Sequence, residues 1–254
     1  MNALALILAR AGSKGAPGKN WRPIAGRPCV GWTFDAADEA LRRGAISRIA
    51  ISTDGAELQR IGLEAGISVV ARPPDLATDT ATVDEAARHA LRALDDPSLD
   101  TVVILYANVP VRPSGLIEQC LALMGRTGAD SVQSYQPVGK YHPWWTAVVS
   151  DANSGGRVRP WEGDVLNHGV YRRQDLPPAH IPDGGALVVS RRALLLEIPG
   201  VPPGPHAFFG LDRRGVINPE GSVIDIDTEA DFARAEAALQ CRLTAPFTSE
   251  GAAR

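Results

Sequence analysis

The stretch ALALILARAGSKGAPGKN, residues 3–20, joins an apolar run, Leu4 to Leu8, to a loop with three glycines, a proline and three cations. The apolar run predicts a buried β-strand that ends where the loop begins. Glycines allow the backbone to turn sharply and to bring its N–H groups close to an anion. Arg10, Lys14 and Lys19 would surround that anion with positive charge. We therefore predict a phosphate-binding loop at the carboxyl end of the first strand of an α/β sheet, where such sheets bind ligands.

Two well-known phosphate-binding motifs do not describe this loop. The dinucleotide fingerprint G-x-G-x-x-G is absent, because no Gly-x-Gly pair occurs in the loop. The NTPase pattern G-x-x-x-x-G-K-[ST] fails at both ends, since Ser13 replaces its first glycine and Asn20 replaces its metal-binding hydroxyl. The alternative to a phosphate site is a surface turn that happens to be rich in glycine and lysine.

Predicted strands and helices alternate through the first half of the chain. The predicted strands cover residues 46–52, 68–71 and 101–106, and the predicted helices cover residues 55–66, 82–94 and 113–126. Thr82 and Glu85 have the spacing of a capping box at the start of the second of these helices. Such alternation predicts an α/β protein, a Rossmann-like three-layer sandwich with a mostly parallel sheet and helices on both faces.

The length of 254 residues suits one substantial α/β domain. We predict a single domain over residues 1–243, followed by a disordered tail over residues 244–254. Within the domain, residues from about 138 to 184 have short strands and long loops, which predicts an insertion. Its three tryptophans at positions 144, 145 and 161 are expected to pack locally.

The composition limits the partners and the location of the protein. A formal net charge of −3 gives no general attraction to nucleic acid or to anionic membranes. No apolar segment approaches the ~20 residues of a membrane helix, and the N-terminus lacks the features of a signal peptide. Three widely separated cysteines argue against a disulfide framework or a thiolate metal site. We expect a cytoplasmic protein.

A second informative string is VIDIDT, residues 223–228. As a predicted strand it would place Asp225 and Asp227 on the same face. Two neighbouring carboxylates repel each other unless a cation lies between them, and Mg²⁺ binds one or two carboxylates together with phosphate oxygens. We predict a Mg²⁺ site here, with Asp227 ahead of Asp225 as the direct ligand. The alternative is that these side chains only cap the helix predicted from Glu229 to Leu243.

The loop string R-A-G-S-K-G-x-P-x-K-N resembles the signature of the cytidylyltransferases that activate acylneuraminates, the sialic acids. Relatives of that family activate deoxyoctulosonic acid and certain phosphonates. The resemblance implies a fold of the nucleotide-diphospho-sugar transferase type, and transfer of CMP from CTP to an acidic acceptor with release of pyrophosphate. It assigns catalysis to Arg10, Lys14 and Lys19. The implied nucleotide-binding residues are Ala9, Arg10, Ala11, Gly12, Ser13, Lys14, Lys19, Asn20, Arg72 and Thr80.

Other family-like segments also occur. The segment from Arg72 to Thr80 resembles the family's R-P-x-x-L-A-x-D-T, although Asp79 and Thr80 could equally stabilise a loop. Ser52-Thr53-Asp54 matches the family's S-T-D, which a helix cap explains fully.

A third segment implies which residues bind the acceptor. RRQDLP, residues 172–177, resembles the segment whose arginine helps to bind the acid group of the acceptor. The implied acceptor-binding residues are Tyr106, Asn108, Lys140, Arg172, Arg173 and Gln174, with His142 as a weaker candidate. Paired arginines are otherwise most often a solvated face. In this family the insertion helps to form a dimer, so a homodimer is expected.

Departures from the family fall on the side that reads the sugar. Tyr106 replaces a glutamine, Asp183 replaces an asparagine and Leu187 replaces a tyrosine. A site loses discrimination when its hydrogen-bonding partners are lost. We therefore favour a small phosphonate acceptor such as phosphonoformate, whose oxygen is already anionic and requires no general base. The alternatives are a sialic-acid-like nonulosonic acid and, in another class, a nucleotide-binding protein without catalysis.

Overall fold

Strand β1 (Ala3–Leu8) lies inside the central sheet, and its side chains are all buried because helices cover both faces. A computed structural model describes residues 1–12, 15–150 and 155–244. In these ranges the sheet has seven strands: β1, β4 (Arg48–Thr53), β5 (Ser68–Ala71), β6 (Thr101–Tyr106), β7 (Ser131–Pro137), β10 (His180–Ser190) and β11 (Arg213–Ile217). Two short hairpins are formed by β2 (Pro23–Ile24) with β3 (Arg27–Pro28), and by β8 (Ala147–Val149) with β9 (Val158–Pro160).

The strand order is β11-β7-β10-β6-β1-β4-β5. Strands β1, β4, β5 and β6 are parallel, and β11 is parallel to β7. Strand β10 runs antiparallel to both of its neighbours. The mostly parallel α/β sheet predicted from the sequence is confirmed, with one antiparallel strand that the alternation did not reveal.

Helices pack on both faces of the sheet and at its edge. The α-helices are α1 (Cys29–Arg42), α2 (Ala56–Glu64), α3 (Val83–Ala93), α4 (Leu116–Thr127), α5 (Arg191–Leu194) and α6 (Glu229–Thr244). One core cluster joins β1 to α1, α2 and α4, and a second joins the opposite face to α3 and α5. A third cluster seats α6 against the loop that follows β1. This is the predicted three-layer arrangement.

Helix boundaries follow local capping chemistry. The capping box of Thr82 and Glu85 is present at the start of α3, as predicted. Helix α4 begins later than predicted, at Leu116, because Gly115 at its N-cap adopts the left-handed conformation with φ of 74°. Helix α6 continues through Thr244, which the prediction had placed in the tail. Residues 245–254 lie outside the described ranges.

In the predicted insertion, between β7 and β10, the described residues form only short elements, the β8–β9 hairpin and 3₁₀ turns. Strand β10 begins at His180, so residues 180–184 belong to the central sheet and not to the insertion. Trp144 stacks on His168 with ring centroids 4.7 Å apart, which agrees with local packing. Trp161 differs, since two thirds of its surface is exposed.

No helix among the described residues is both long and apolar enough to cross a lipid bilayer.

Candidate active site

The carboxyl ends of β1, β4 and β6 meet at one edge of the sheet. Leu8 pairs in register with Ser52 on one side and with Tyr106 on the other. The loops that follow these three strands therefore converge, as expected for a ligand site of a parallel sheet. They enclose a cavity of about 290 Å³, called here the strand-end cavity. Its wall includes Arg10, Gly12, Lys19, Asn20, Arg72, Asp79, Tyr106 and Asn108.

Two cations of the loop stand in the wall of this cavity. Arg10 forms an ion pair with Asp79 at 2.8 Å. Lys19 donates through Nζ to the Ile226 carbonyl oxygen at 2.6 Å and to Asp227 Oδ1 at 2.8 Å. Two basic side chains of the loop therefore stand in the wall of this cavity, each paired with an acid. Ser13 and Lys14, also assigned to the nucleotide, lie outside the described residues.

Asn20 holds the loop together through one hydrogen bond and has a second polar atom available for another. Its Nδ2 donates to the Arg10 carbonyl oxygen at 2.8 Å, whereas its buried Oδ1 has no partner among the residues that the structure describes. A buried polar atom without a partner is costly, so Oδ1 is suited to accept a hydrogen bond from a bound ligand.

Arg72 and Thr80 differ in position. Arg72 is buried in the cavity wall, donates to the Ser52 carbonyl oxygen at 2.7 Å, and has its pKa lowered by that burial. Thr80 contacts the Thr78 hydroxyl at 3.2 Å and does not line the cavity. The structure therefore brings Arg72 to the strand-end cavity and leaves Thr80 at its margin.

Asp54 has a role that the sequence interpretation missed. The helix cap that explained it is wrong, because the N-cap of α2 is Gly55 and the Asp54 side chain does not cap it. Instead Asp54 Oδ1 accepts from the Ala11 backbone N–H at 2.8 Å and so ties the loop after β1 to the end of β4. The matching S-T-D string was the available signal.

Replacing Asp54 by alanine is expected to weaken the binding of CTP, the nucleotide that the resemblance implies, about tenfold, since a hydrogen bond to a charged group contributes about 1.5 kcal/mol or more. Asp54→Asn retains an oxygen acceptor and should stay within about threefold of the unchanged protein. Titration of each protein with CTP measures both effects. Equal effects of the two substitutions would exclude a tether to Ala11.

The two carboxylates lie beside the strand-end cavity, but not on a strand. The predicted strand over residues 223–228 is wrong, because only Ile224 forms a β-bridge, to Val111. Residues 224–226 instead run along the loop after β6, where the Ile226 N–H donates to the Asn108 carbonyl oxygen at 2.9 Å. Buried Ile226 separates two exposed acids with different partners.

Asp225 is held by Asn108, whose Nδ2 donates to Asp225 Oδ1 and to the Ile226 carbonyl oxygen. Partial desolvation, followed by repulsion from Asp227, raises the pKa of Asp225 to about 6 even though the residue keeps contact with solvent. Asp227 is more exposed and pairs with Lys19. The carboxylates therefore crowd each other, and a cation would relieve the repulsion.

Asp225 and Asp227 could supply part of the coordination shell of a Mg²⁺ ion. Within the described ranges no group of three His, Cys, Asp or Glu side chains is placed to hold a metal. Mg²⁺ requires fewer protein ligands when phosphate oxygens complete its shell, and two carboxylates beside a triphosphate-sized cavity meet that requirement. Asp225 and Asp227 are the residues that would hold the ion.

Gly15 brings the loop and the carboxylates into contact. A Cβ atom at position 15 would lie 2.5 Å from the Asp227 carbonyl oxygen, a distance that only a backbone shift could relieve. Gly15→Ala is therefore expected to lower kcat/KM by about 100-fold, the order of loss that a 1 Å misplacement causes. Gly125→Ala on α4 is the control, since its Cβ would meet only the flexible end of Met1, at 3.4 Å. Full activity of Gly15→Ala would refute the close approach.

A second cavity of about 600 Å³ lies along β7 and β10, called here the β7–β10 cavity. Its wall includes Gln136, Tyr141, Asp183, Gly184, Glu220, Asp225 and Arg234. Asp225 lines this cavity and Asn108 lines the strand-end cavity. Because these two side chains are hydrogen-bonded, they form a shared partition. Two ligands, one in each cavity, would meet there.

The predicted acceptor residues are distributed around both cavities. Tyr106 and Asn108 line the strand-end cavity rather than the second one. Burial raises the pKa of Tyr106 to about 12, so its hydroxyl remains a donor at neutral pH. Arg173 pairs at 3.2 Å with Glu220 at the rim of the β7–β10 cavity.

Arg172, Gln174 and Lys140 do not line either cavity. Arg172 pairs with Asp175, and Lys140 lies over the Tyr141 ring. His142 is buried and accepts from the Trp144 N–H, so it supports the insertion.

The two replaced positions on β10 are structural. Asp183 accepts from Ser134 Oγ, from the Gly185 N–H and from Asn218 Nδ2, which leaves a buried carboxylate with three partners. Leu187 is packed in the core. Neither replacement alone therefore reports the size of the acceptor.

Comparisons with known proteins bear on the family and on the fold. Residues 4–143 match the family model described as cytidylyltransferase. A CMP-N,N'-diacetyllegionaminic acid synthase of Legionella pneumophila is 35% identical over 94% of this chain and 97% of its own length. An N-acylneuraminate cytidylyltransferase of Streptococcus agalactiae is 31% identical over 91% of this chain. The chain spans about half of the length of that relative, 52%.

Among solved structures, a CMP:2-keto-3-deoxy-manno-octonic acid synthetase complexed with CTP superposes with a TM-score of 0.67. The match covers 95% of this chain and all of the other, at 15% identity, and therefore supports the fold alone.

Proposed function

The chain belongs to the cytidylyltransferase family, as its resemblance predicts, and we propose that it transfers CMP from CTP to a nonulosonic acid, a sialic-acid-like sugar acid. One observation carries the proposal: hydrogen-bonded Asn108 and Asp225 form the wall that separates the two cavities. A nucleotide in the strand-end cavity and a sugar acid in the β7–β10 cavity would place their reacting atoms on either side of it.

The size of the second cavity favours a sugar acid over a small phosphonate. A volume of about 600 Å³ is within the range of about 300–1,000 Å³ that holds ligands of drug size. A relative that is matched over 97% of its length is named for a diacetylated nonulosonic acid. No relative reported above supports the phosphonate that the replaced residues suggested, and two of the three replaced residues, Asp183 and Leu187, have structural roles.

The reaction would be an in-line displacement at the α-phosphorus of CTP. The acceptor oxygen forms a bond to phosphorus, the bond to pyrophosphate breaks, and the acceptor hydroxyl releases its proton to solvent. Arg10 and Lys19 would stabilise the negative charge that develops on the leaving pyrophosphate. Bound Mg²⁺, held by Asp225 and Asp227, would neutralise phosphate charge.

Arg10 would exchange partners when nucleotide binds. Its ion pair with Asp79 is about half exposed, and exposed pairs contribute little to stability. A triphosphate offers several oxygens to the same guanidinium. Arg72 and the unpaired Oδ1 of Asn20 would contact the nucleoside part of CTP.

A homodimer would cover the insertion, and we include it in the proposal. Between residues 138 and 184, large apolar side chains stay exposed: Tyr141, Val149, Val158, Trp161, Val165, Leu166, Tyr171 and Ile181. Contiguous exposed apolar surface marks interaction sites in proteins, and these exposed side chains all come from one segment of the chain. A second copy of the chain would bury this surface beside the β7–β10 cavity.

The test measures pyrophosphate release with each of the four ribonucleoside triphosphates and a panel of acids. The panel contains sialic-type nonulosonic acids, deoxyoctulosonic acid and phosphonoformate. We expect release with CTP and a nonulosonic acid, and little with the other nucleotides. Preference for phosphonoformate would refute the acceptor assignment, and CTP binding without turnover would favour a binding protein.

A further inference from the structure

The arginine segment, residues 172–177 with the sequence RRQDLP, lies just before β10, and its polar side chains are exposed. Arg173 reaches the rim of the β7–β10 cavity through its ion pair with Glu220 at 3.2 Å. More than half of each side chain in that pair is exposed, and exposed pairs contribute little to stability. Arg172 pairs within the segment, with Asp175. These two ion pairs therefore do little to hold the segment in place.

One turn holds the chain on both sides of the two arginines. It runs from His142 to Trp145 and is called here the anchoring turn. The Trp145 indole N–H donates to the Val170 carbonyl oxygen at 3.0 Å, and His142 Nε2 lies 3.1 Å from the Pro177 carbonyl oxygen. Val170 lies just before the arginine segment and Pro177 ends it, so both arginines lie between two carbonyl groups that the anchoring turn holds.

The His142 ring is suited to this contact because both of its nitrogens have partners. The Trp144 backbone N–H donates to Nδ1 at 3.1 Å, so Nδ1 is the unprotonated nitrogen. The proton of the neutral ring is then on Nε2, which donates a hydrogen bond to the Pro177 carbonyl oxygen. His142 is only 4% exposed, which leaves it little surface for a ligand. The residue therefore faces the protein and not the acceptor.

We propose that His142 and Trp145 are positioning residues, which hold the arginine segment in the geometry that binds the acid group of the acceptor. The planar fork of an arginine can bond both oxygens of a carboxylate, but only when its backbone is fixed relative to the ligand. This inference rests on the proposed function and on the role that the resemblance implies for the segment. His142 then acts through the segment, without a contact to the acceptor.

The test is steady-state kinetics of His142→Asn, His142→Gln and Trp145→Phe with CTP and the best nonulosonic acid. The asparagine amide can take the place of Nδ1 and the glutamine amide that of Nε2, so only glutamine can still donate to Pro177. We expect His142→Asn and Trp145→Phe to raise the KM for the acid about three- to tenfold, in line with the loss of one neutral hydrogen bond. His142→Gln should stay within about twofold of wild type. The kcat and the KM for CTP should change less than about twofold in all three variants.

Trp32→Phe is the matched control for Trp145→Phe. It also removes an indole N–H that donates to a backbone carbonyl oxygen, that of Ile24, at 3.0 Å. Trp32 lines neither the strand-end cavity nor the β7–β10 cavity. Its kinetics with both substrates should therefore match those of wild type.

A double-mutant cycle shows whether the anchoring turn acts through the arginines. Trp145→Phe should lower kcat/KM for the acid in the wild-type background and cause no further loss in Arg172→Ala/Arg173→Ala. Equal losses in both backgrounds would overturn the proposal, as would an unchanged KM for the acid in folded His142→Asn and Trp145→Phe proteins. An equal rise of the KM for CTP would indicate a merely structural role and overturn it too. If wild type turns over no nonulosonic acid, the proposed function fails and this inference fails with it.

Discussion

Replacing Lys19 by alanine is expected to lower kcat/KM with CTP by on the order of 100-fold or more. Lys19 is the described cation that contacts both halves of the site, since it lies in the loop after β1 and donates to Asp227 and to the Ile226 carbonyl oxygen. Its side chain is only 15% exposed, so its charge is weakly screened by water. Without it, the phosphate-binding loop loses charge and the Asp227 carboxylate loses its partner.

The measurement is initial-rate kinetics of pyrophosphate release over a range of CTP concentrations. Arg60→Ala is the control, because Arg60 pairs only with Glu57 and Glu64 on its own helix, α2. Lys19→Arg keeps the charge and should retain more activity than Lys19→Ala. Turnover of Lys19→Ala near that of wild type would remove Lys19 from the mechanism.

The second large effect is expected for the carboxylates. Asp225→Asn keeps the size of the side chain and an oxygen for Asn108, but it removes the charge between the two cavities. We expect activity to fall by on the order of 100-fold and Mg²⁺ to bind more weakly, because a hard cation prefers anionic oxygen ligands. Asp227→Asn should act in the same direction and also release Lys19.

Two measurements separate a loss of metal affinity from a loss of rate. One is the reaction rate at several Mg²⁺ concentrations, and the other is a calorimetric titration of Mg²⁺ in the presence of CTP. The control is Asp38→Asn, an exposed acid on α1 paired with Arg42. Chelation by EDTA should abolish wild-type activity, and added Mg²⁺ should restore it. Wild-type Mg²⁺ dependence in both carboxylate variants would refute the metal site.

Local patterns were enough to predict four of the seven described strands of the sheet, four of the six described α-helices and the loop after β1. Buried parallel strands are continuous apolar runs, which a short window of sequence contains. The capping box of Thr82 and Glu85 likewise marks the start of a helix within four residues. The strand predicted at residues 223–228 failed because alternating side chains also fit an extended segment, and only Ile224 finds a β partner. Whether a segment pairs as a β-strand depends on residues far away in the sequence, and a local pattern carries no information about them.

The site was only partly predictable for the same reason. Arg10, Lys19 and Asn20 share one motif, so the sequence identifies them together. The β7–β10 cavity is built from residues between 136 and 234 that become neighbours through the antiparallel insertion of β10. The tie of Asp54 to Ala11 spans 43 residues, and the sequence assigned that acid to a helix cap.

The most direct test of the account follows the α-phosphorus of CTP. CTP labelled at that phosphorus is incubated with the protein, Mg²⁺ and a nonulosonic acid, and the products are separated. We predict that the label passes into a CMP–sugar conjugate in step with release of unlabelled pyrophosphate, and only when the acid is present. Label that stays in the nucleotides whichever nonulosonic acid is added would contradict the account.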